Sequence, residues 1–169
     1  MIAVEDILWA PIDVLKTPSP DVDPLIDSDA LQEAQLLDLR IHALSSTVGL
    51  LFELRTALQF EDGNAAVLVM RGSRQVSWRA SGRDGERTAW SVVGSVTHLR
   101  SGLLNLDIRL SPSASIEILG ASAEFYVIDV PEIGEAPPDY CSEREEHIRN
   151  GLPSWDSPFT LLQASHLDG

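Results

Sequence analysis

The chain is predicted to be mainly β: a single-domain antiparallel sandwich or barrel with an irregular N-terminal arm and a short C-terminal helix. Three observations predict this. Apolar residues recur with a period of two through most of residues 36–130, clusters rich in Gly, Ser and Asp punctuate that pattern, and four prolines interrupt the first 34 residues. A period of two puts one face of a strand on a core and the other in water. Short strands separated by turn chemistry are the pattern of antiparallel sheet. The 169 residues suffice for one domain with a sizeable core.

Residues 1–34 read as an acidic arm, because Pro11, Pro18, Pro20 and Pro24 each remove a backbone donor. Ile7, Leu8 and Trp9 are apolar enough to dock on a core, and Ser28 or Asp29 is placed to cap a short helix through Glu33. Residues 35–130 form the expected β core. Leu37, Leu39 and Ile41 alternate with polar residues, as do Val76 and Trp78, and Leu104, Leu106, Ile108 and Leu110 form the clearest run. Thr47–Phe60 has two readings. Val48, Leu50, Phe52 and Leu54 alternate as a strand, whereas Leu51, Leu54 and Leu58 suit a helix. Ala123–Val130 closes the core with aromatic and β-branched residues. In 131–169, Pro131, Pro137 and Pro138 mark a loop. Ser142 and Glu145 form a capping-box pair for a helix to Asn150, and Trp155–Leu167 adds a further strand.

The chain carries 26 acidic and 12 basic residues, a formal net charge of −14. Phosphate binding calls for a basic surface, so nucleic acid and anionic membrane are poor partners, while a basic protein is a suitable one. The charge is uneven: residues 1–38 and 120–169 each carry a net −8, and residues 39–119, with nine arginines, a net +2. The ends are therefore expected to fold back over the arginines or to present an acidic face, and to be more polar and more mobile than the middle. The apolar runs are too short to span a bilayer, no basic leader opens the chain, and the single cysteine, Cys141, forms no internal disulfide. A cytoplasmic setting fits these features.

No catalytic, metal or phosphate-loop motif stands out, so neither a cofactor nor a metal is expected. The acids at Asp21, Asp23, Asp27 and Asp29 lack the glycine and terminal glutamate of a calcium loop. Glu143 and His147 are spaced to share a helix face, and Cys141 sits among carboxylates that would raise a thiol pKa. Two sets of residues suit recognition. The first is the C-terminal acidic stretch with its aromatics, Asp139, Tyr140, Glu143, Glu146, Trp155 and Asp156, a complementary face for a basic partner. The second is the expected hairpin from Val76 to Val93, where Trp78 and Trp90 flank a turn holding Arg83 and Arg87. With Phe125, these tryptophans would also wall an apolar pocket.

The stretch Ser46–Leu58, together with Ala123-Glu124-Phe125-Tyr126 and Asp139-Tyr140, resembles an uncharacterised family of bacterial proteins from high-GC genomes, some of them small immunity-type proteins. The resemblance covers about residues 36–167. It implies a binding role and carries no catalytic residues. Three functions are thus expected in order: a non-enzymatic module of the immunity or antitoxin type that inhibits a basic protein; a small β-barrel for an apolar ligand; and an enzyme using His98 or His147.

Overall fold

The computed structural model describes every residue except Met1, Val14 and residues 83–86. Among the described residues, nine strands form one antiparallel sheet: β1 (Gln35–His42), β2 (Thr47–Glu53), β3 (Ala65–Arg71), β4 (Gln75–Ala80), β5 (Trp90–Arg100), β6 (Leu103–Ser111), β7 (Ala114–Gly120), β8 (Ser122–Asp129) and β9 (Thr160–Asp168). Their order is β4-β7-β6-β5-β1-β2-β3-β8-β9. The sheet folds on itself, so that β3 meets β7 and β6 meets β8 although neither pair shares a ladder. Leu50, Phe52, Leu68 and Phe125 from one half face Leu104, Leu106, Ile116 and Ile118 from the other in the main core. Thr47–Glu53 resolves as a strand, followed by turns to residue 60.

A second apolar cluster lies on the outer face of β2, β3 and β8, where Leu51, Val67, Val69 and Tyr126 are covered by Val4, Ile7, Leu8, Ile133 and Trp155. This explains why β2 and β3 read as nearly unbroken apolar runs: both faces are buried. The ends of the chain are therefore structural. The arm forms a short helix, α1 (Asp6–Trp9), whose Ile7 and Leu8 are buried while Trp9 stays 61% exposed. The arm also bonds to the C-terminal loop, Glu5 N–H donating to the Trp155 carbonyl (2.8 Å) and Val4 N–H to that of Ser157 (3.0 Å). Gly49 makes this closure possible, since a Cβ there would overlap Leu8 Cδ2 and stand 2.9 Å from the Trp155 ring.

Arginines hold this layer down. Arg71 pairs with Glu124 on β8 (2.5 Å) and donates to the Ile7 carbonyl (2.7 Å), capping the C-terminal end of α1. Arg55 pairs with Glu53 at 2.6 Å and reaches the carbonyls of Ile133 (2.6 Å), Ala136 (3.0 Å) and Gly151 (2.7 Å). Arg40 reaches Glu5 at 3.3 Å. The ends thus fold back over middle arginines, but through apolar burial and backbone carbonyls as much as through carboxylates.

Four local expectations need correction. Residues 24–33 form turns rather than a helix, because Asp29 and Glu33 adopt φ of 59° and 71°. Asp23 organises this segment instead, accepting from Leu25 N–H and Ser165 Oγ–H, both at 2.9 Å. The C-terminal helix, α2, is shorter (Glu145–Asn150), and no side chain caps it. The Ser142–Glu145 box does not form; the Asp139 carboxylate takes the N–H groups of Cys141 and Ser142 (2.9 and 3.2 Å). Hence Glu143 lies before α2, accepting from Asp139 N–H at 3.0 Å, and the i,i+4 pair on the helix is Glu145–Arg149 at 3.8 Å. Finally, β4 pairs with β7, not β5, so Val76–Val93 is not a hairpin; most of its expected turn, residues 83–86 with Arg83, lies outside the described residues.

Candidate functional site

β5 begins at Trp90, opposite Leu36, and the β1–β5 ladder consists of Gln35↔Ser91 and Leu36↔Trp90. Beyond Leu36, β1 has a strand neighbour on its β2 side alone among the described residues. Further along, β5 is bordered by the arm: Val92 N–H donates to the Ala34 carbonyl (2.8 Å) and Asp29 N–H to that of Ser95 (2.7 Å). β4 is the terminal strand at its end of the sheet. The fold brings Trp78 of β4 to this break. Leu36, Leu37, Asp38 and Leu39 of β1, with Trp78 and Trp90, line an open slot of about 380 Å³.

The two indoles meet at 5.6 Å between centroids with planes 86° apart, a T-shaped pair. Trp90 packs against the main core, and Trp78 remains 44% exposed. A bulge at Leu37 turns neighbouring β1 residues to opposite sides: Leu39 packs on the main core and Leu37 on the outer cluster. Between them Asp38 is held at both oxygens. Oδ1 accepts from Leu39 N–H (3.0 Å) and Oδ2 from the Trp155 indole N–H (2.6 Å). The carboxylate is therefore fixed in place, one oxygen on Trp155 of the outer cluster. Arg40 lies 5.0 Å above the centre of the Trp155 ring.

A second hollow, of about 350 Å³, adjoins the slot and shares Leu36, Leu37 and Trp90 with it; Gln35, Arg87, Thr88, Ala89, Tyr140, Ile148 and Leu152 complete its lining. Tyr140 donates to Gln35 Oε1 at 2.6 Å. Burial, with the negative charge of Glu53 behind it, pushes the Tyr140 phenol up to about 12, so it is a neutral donor at ordinary pH. Asp139 beside it is exposed, and hydrogen bonds from Ser142, side chain first, and from Cys141 N–H hold its carboxyl below the usual range.

The residues singled out from sequence thus divide. Trp78 and Trp90 do meet, from strands that are not neighbours. Phe125 is no part of that wall: it is fully buried in the core against Phe60. Trp155, 4% exposed, is not a surface anchor but the peg that pins the C-terminal loop to β1 and β2. Tyr140 is half-buried, while Asp139, Glu146 and Asp156 are exposed and Glu143 is half-buried. Of this set, Tyr140 alone lines the hollow that adjoins the slot, so the two sets of residues read separately meet through Tyr140. Sequence reasoning missed the β1 wall. Its alternation was visible, but nothing local says where a ladder stops. It also missed Arg55, whose carbonyl partners lie 78 to 96 positions away in the chain.

His98 and His147 lie on separate elements, β5 and α2. His98 lies 3.9 Å from Asp107, which accepts from Asn105 at 2.8 Å, and the facing Glu117 meets Arg100 at 3.6 Å. Asp107 and Glu117 also line a hollow of about 430 Å³, together with Asp29 and Arg109. His147 is exposed on α2. Among the described residues, no group of three or more His, Cys, Asp or Glu is arranged to hold a metal ion, and no helix is long and apolar enough to cross a membrane. No protein-family model matches the chain, and no curated protein matches it.

Proposed function

We propose that the protein is a non-enzymatic binding module that docks a basic protein over the face bearing the Trp78–Trp90 slot, acting as an inhibitor of the immunity or antitoxin type. The observation that carries the reading is the slot itself: a half-exposed tryptophan corner at a break in the sheet, adjoined by a hollow that Tyr140 of the acidic 139–146 segment helps to line. Tryptophan is among the residue types enriched at interface hot spots, and surrounding carboxylates speed association with a basic surface. Asp139, Glu143, Glu145 and Glu146 outnumber Arg144 and Arg149 there, and Arg149 already faces Glu145. An inhibitor works by covering a surface and needs no acid–base pair.

The test is retention of a purified basic protein, first the product of the adjacent gene, across a salt series. Binding at low salt that weakens as salt rises, and falls about tenfold in Trp78→Leu, supports the reading. Failure to retain any basic protein at low salt overturns it. A second reading, a site for a small apolar ligand, is favoured by the slot's volume, which lies in the range of small-molecule pockets. Enhanced tryptophan fluorescence with a neutral lipid or metabolite, and none with basic proteins, would select it.

A further inference from the structure

We infer that the hollow between the arm and β5–β7 binds a free α-amino acid, held at both of its charged ends. The inference stands apart from the protein-binding reading, for this hollow and the tryptophan slot share no lining residue. The strand registers set Gly94 opposite Arg109 and Arg109 opposite Ser115, so the three share one row on one face of the sheet. Asp107 and Glu117, themselves opposite each other, belong to the next row on that face. The arm supplies Asp29, clamped to β5 twice: its N–H donates to the Ser95 carbonyl (2.7 Å), and its Oδ1 accepts from Ser95 N–H (3.1 Å). Asp29 holds this place with φ of 59°, a left-handed conformation that Asp tolerates better than most residues. Gly94 keeps the space between the charges clear, since a Cβ there would stand 2.7 Å from Arg109 Nη2 and 3.2 Å from Asp29 Oδ1. A guanidinium and a carboxylate thus approach the same bare glycine. They form no direct ion pair, and among the described residues neither has another charged partner within 4.0 Å. The other charges of the hollow are engaged: Asp107 accepts from Asn105 (2.8 Å) and stands 3.9 Å from His98, and Glu117 meets Arg100 at 3.6 Å. One cation and one anion remain to be matched. A simple cation or a simple anion would satisfy one of them and leave the other. A ligand with an ammonium and a carboxylate on one carbon satisfies both through charge-assisted hydrogen bonds. Arg109 donates to its carboxylate, with Ser115 beside it in the row, and Asp29 accepts from its ammonium. The volume, about 430 Å³, lies in the range of small-molecule sites.

The experiment uses the full ¹⁵N-labelled chain at neutral pH and three probes: alanine, N-acetylalanine, which lacks the ammonium, and alaninamide, which lacks the carboxylate. Each is titrated to about 100 mM at constant ionic strength, far above a Kd of about 1 mM. The expected result is a saturable shift of the Gly94 and Ser95 amide signals with alanine, and binding about tenfold tighter than that of either blocked probe. Asp29→Asn keeps an acceptor for Ser95 N–H and suits a positive φ, but removes the negative charge. Arg109→Gln removes the positive one. Each variant is expected to weaken alanine binding about tenfold, while an unmoved Trp155 indole signal certifies the fold. Absence of a saturable alanine shift at Gly94 and Ser95 overturns the inference. So does equal binding of the blocked probes, or alanine binding left unchanged in either variant. The protein-binding reading fails separately, because salt-dependent retention and Trp78→Leu read a different face.

Discussion

Arg55→Leu tests how the C-terminal loop is held. The Arg55 side chain is 5% exposed and that of its partner Glu53 0%. The guanidinium makes two contacts to that carboxylate, at 2.6 and 2.8 Å, and donates to the carbonyls of Ile133, Gly134, Ala136 and Gly151. Leucine would leave Glu53 buried without its counter-charge and four carbonyls without their donor. Breaking a buried pair from one side costs about 3–5 kcal/mol. For a domain of this size each kcal/mol lowers Tm by about 2–4 °C, so a fall on the order of 10 °C is expected. Removing both charges, in Glu53→Leu with Arg55→Leu, eliminates the buried carboxylate and leaves only the carbonyls to be solvated. The double variant is therefore expected to lose less than Arg55→Leu alone, with a coupling of about 2 kcal/mol. Urea unfolding followed by circular dichroism on the three variants measures this. A loss under about 1 kcal/mol for Arg55→Leu, or a double variant less stable than the single one, would refute the reasoning.

Three further predictions concern other links in the argument. Gly49→Ala would gain about 0.5–1 kcal/mol from strand preference, but overlap with Leu8 and the Trp155 ring costs about 1–3 kcal/mol; a net loss in urea unfolding is expected, and a gain would show that neither end packs on β2. Both tyrosines of the chain have phenols raised from 10.0 by burial, Tyr126 further through its 2.5 Å hydrogen bond to Glu124. Because the folded pKa lies above the unfolded one, this stability is whole below pH 10.0 and is lost as pH rises through the folded value, about 12 for Tyr140. Native phenolate absorbance should thus stay low at pH 10.0, and half-ionisation there would contradict it. Ser101 and Gly102, with φ of 53° and 78°, turn β5 into β6. Ser101→Asn, better suited to positive φ, should add about 0.5 kcal/mol, whereas an unchanged or lower midpoint would argue against that turn geometry.

Much of the sheet was legible in the chain because its cause is local. Leu104, Leu106, Ile108 and Leu110 alternate since one face of β6 meets the core. Ala65–Met70 carries no alternation, and its position as a central strand covered on both faces explains why. The helix expected over 28–33 failed because backbone bonds to β5 and left-handed conformations at Asp29 and Glu33 outweighed a capping preference of about 1 kcal/mol. The candidate site was half legible. Trp78 and Trp90 stood out by residue type. That they meet across a break in the sheet was not, because β4 pairs with a strand some forty residues downstream instead of with its neighbour.

The order of residues alone determined a mainly β chain with acidic ends, since side-chain period and charge are properties of neighbours. Only the folded chain decided which strands pair and where a ladder stops. Those depend on which distant apolar faces bury each other, and several registers satisfy the same alternation. It was likewise the packing of Leu8 and Trp155 on Gly49 that turned the charged ends into a layer over β2, β3 and β8, because Val4, Ile7, Leu8 and Trp155 bury apolar surface there.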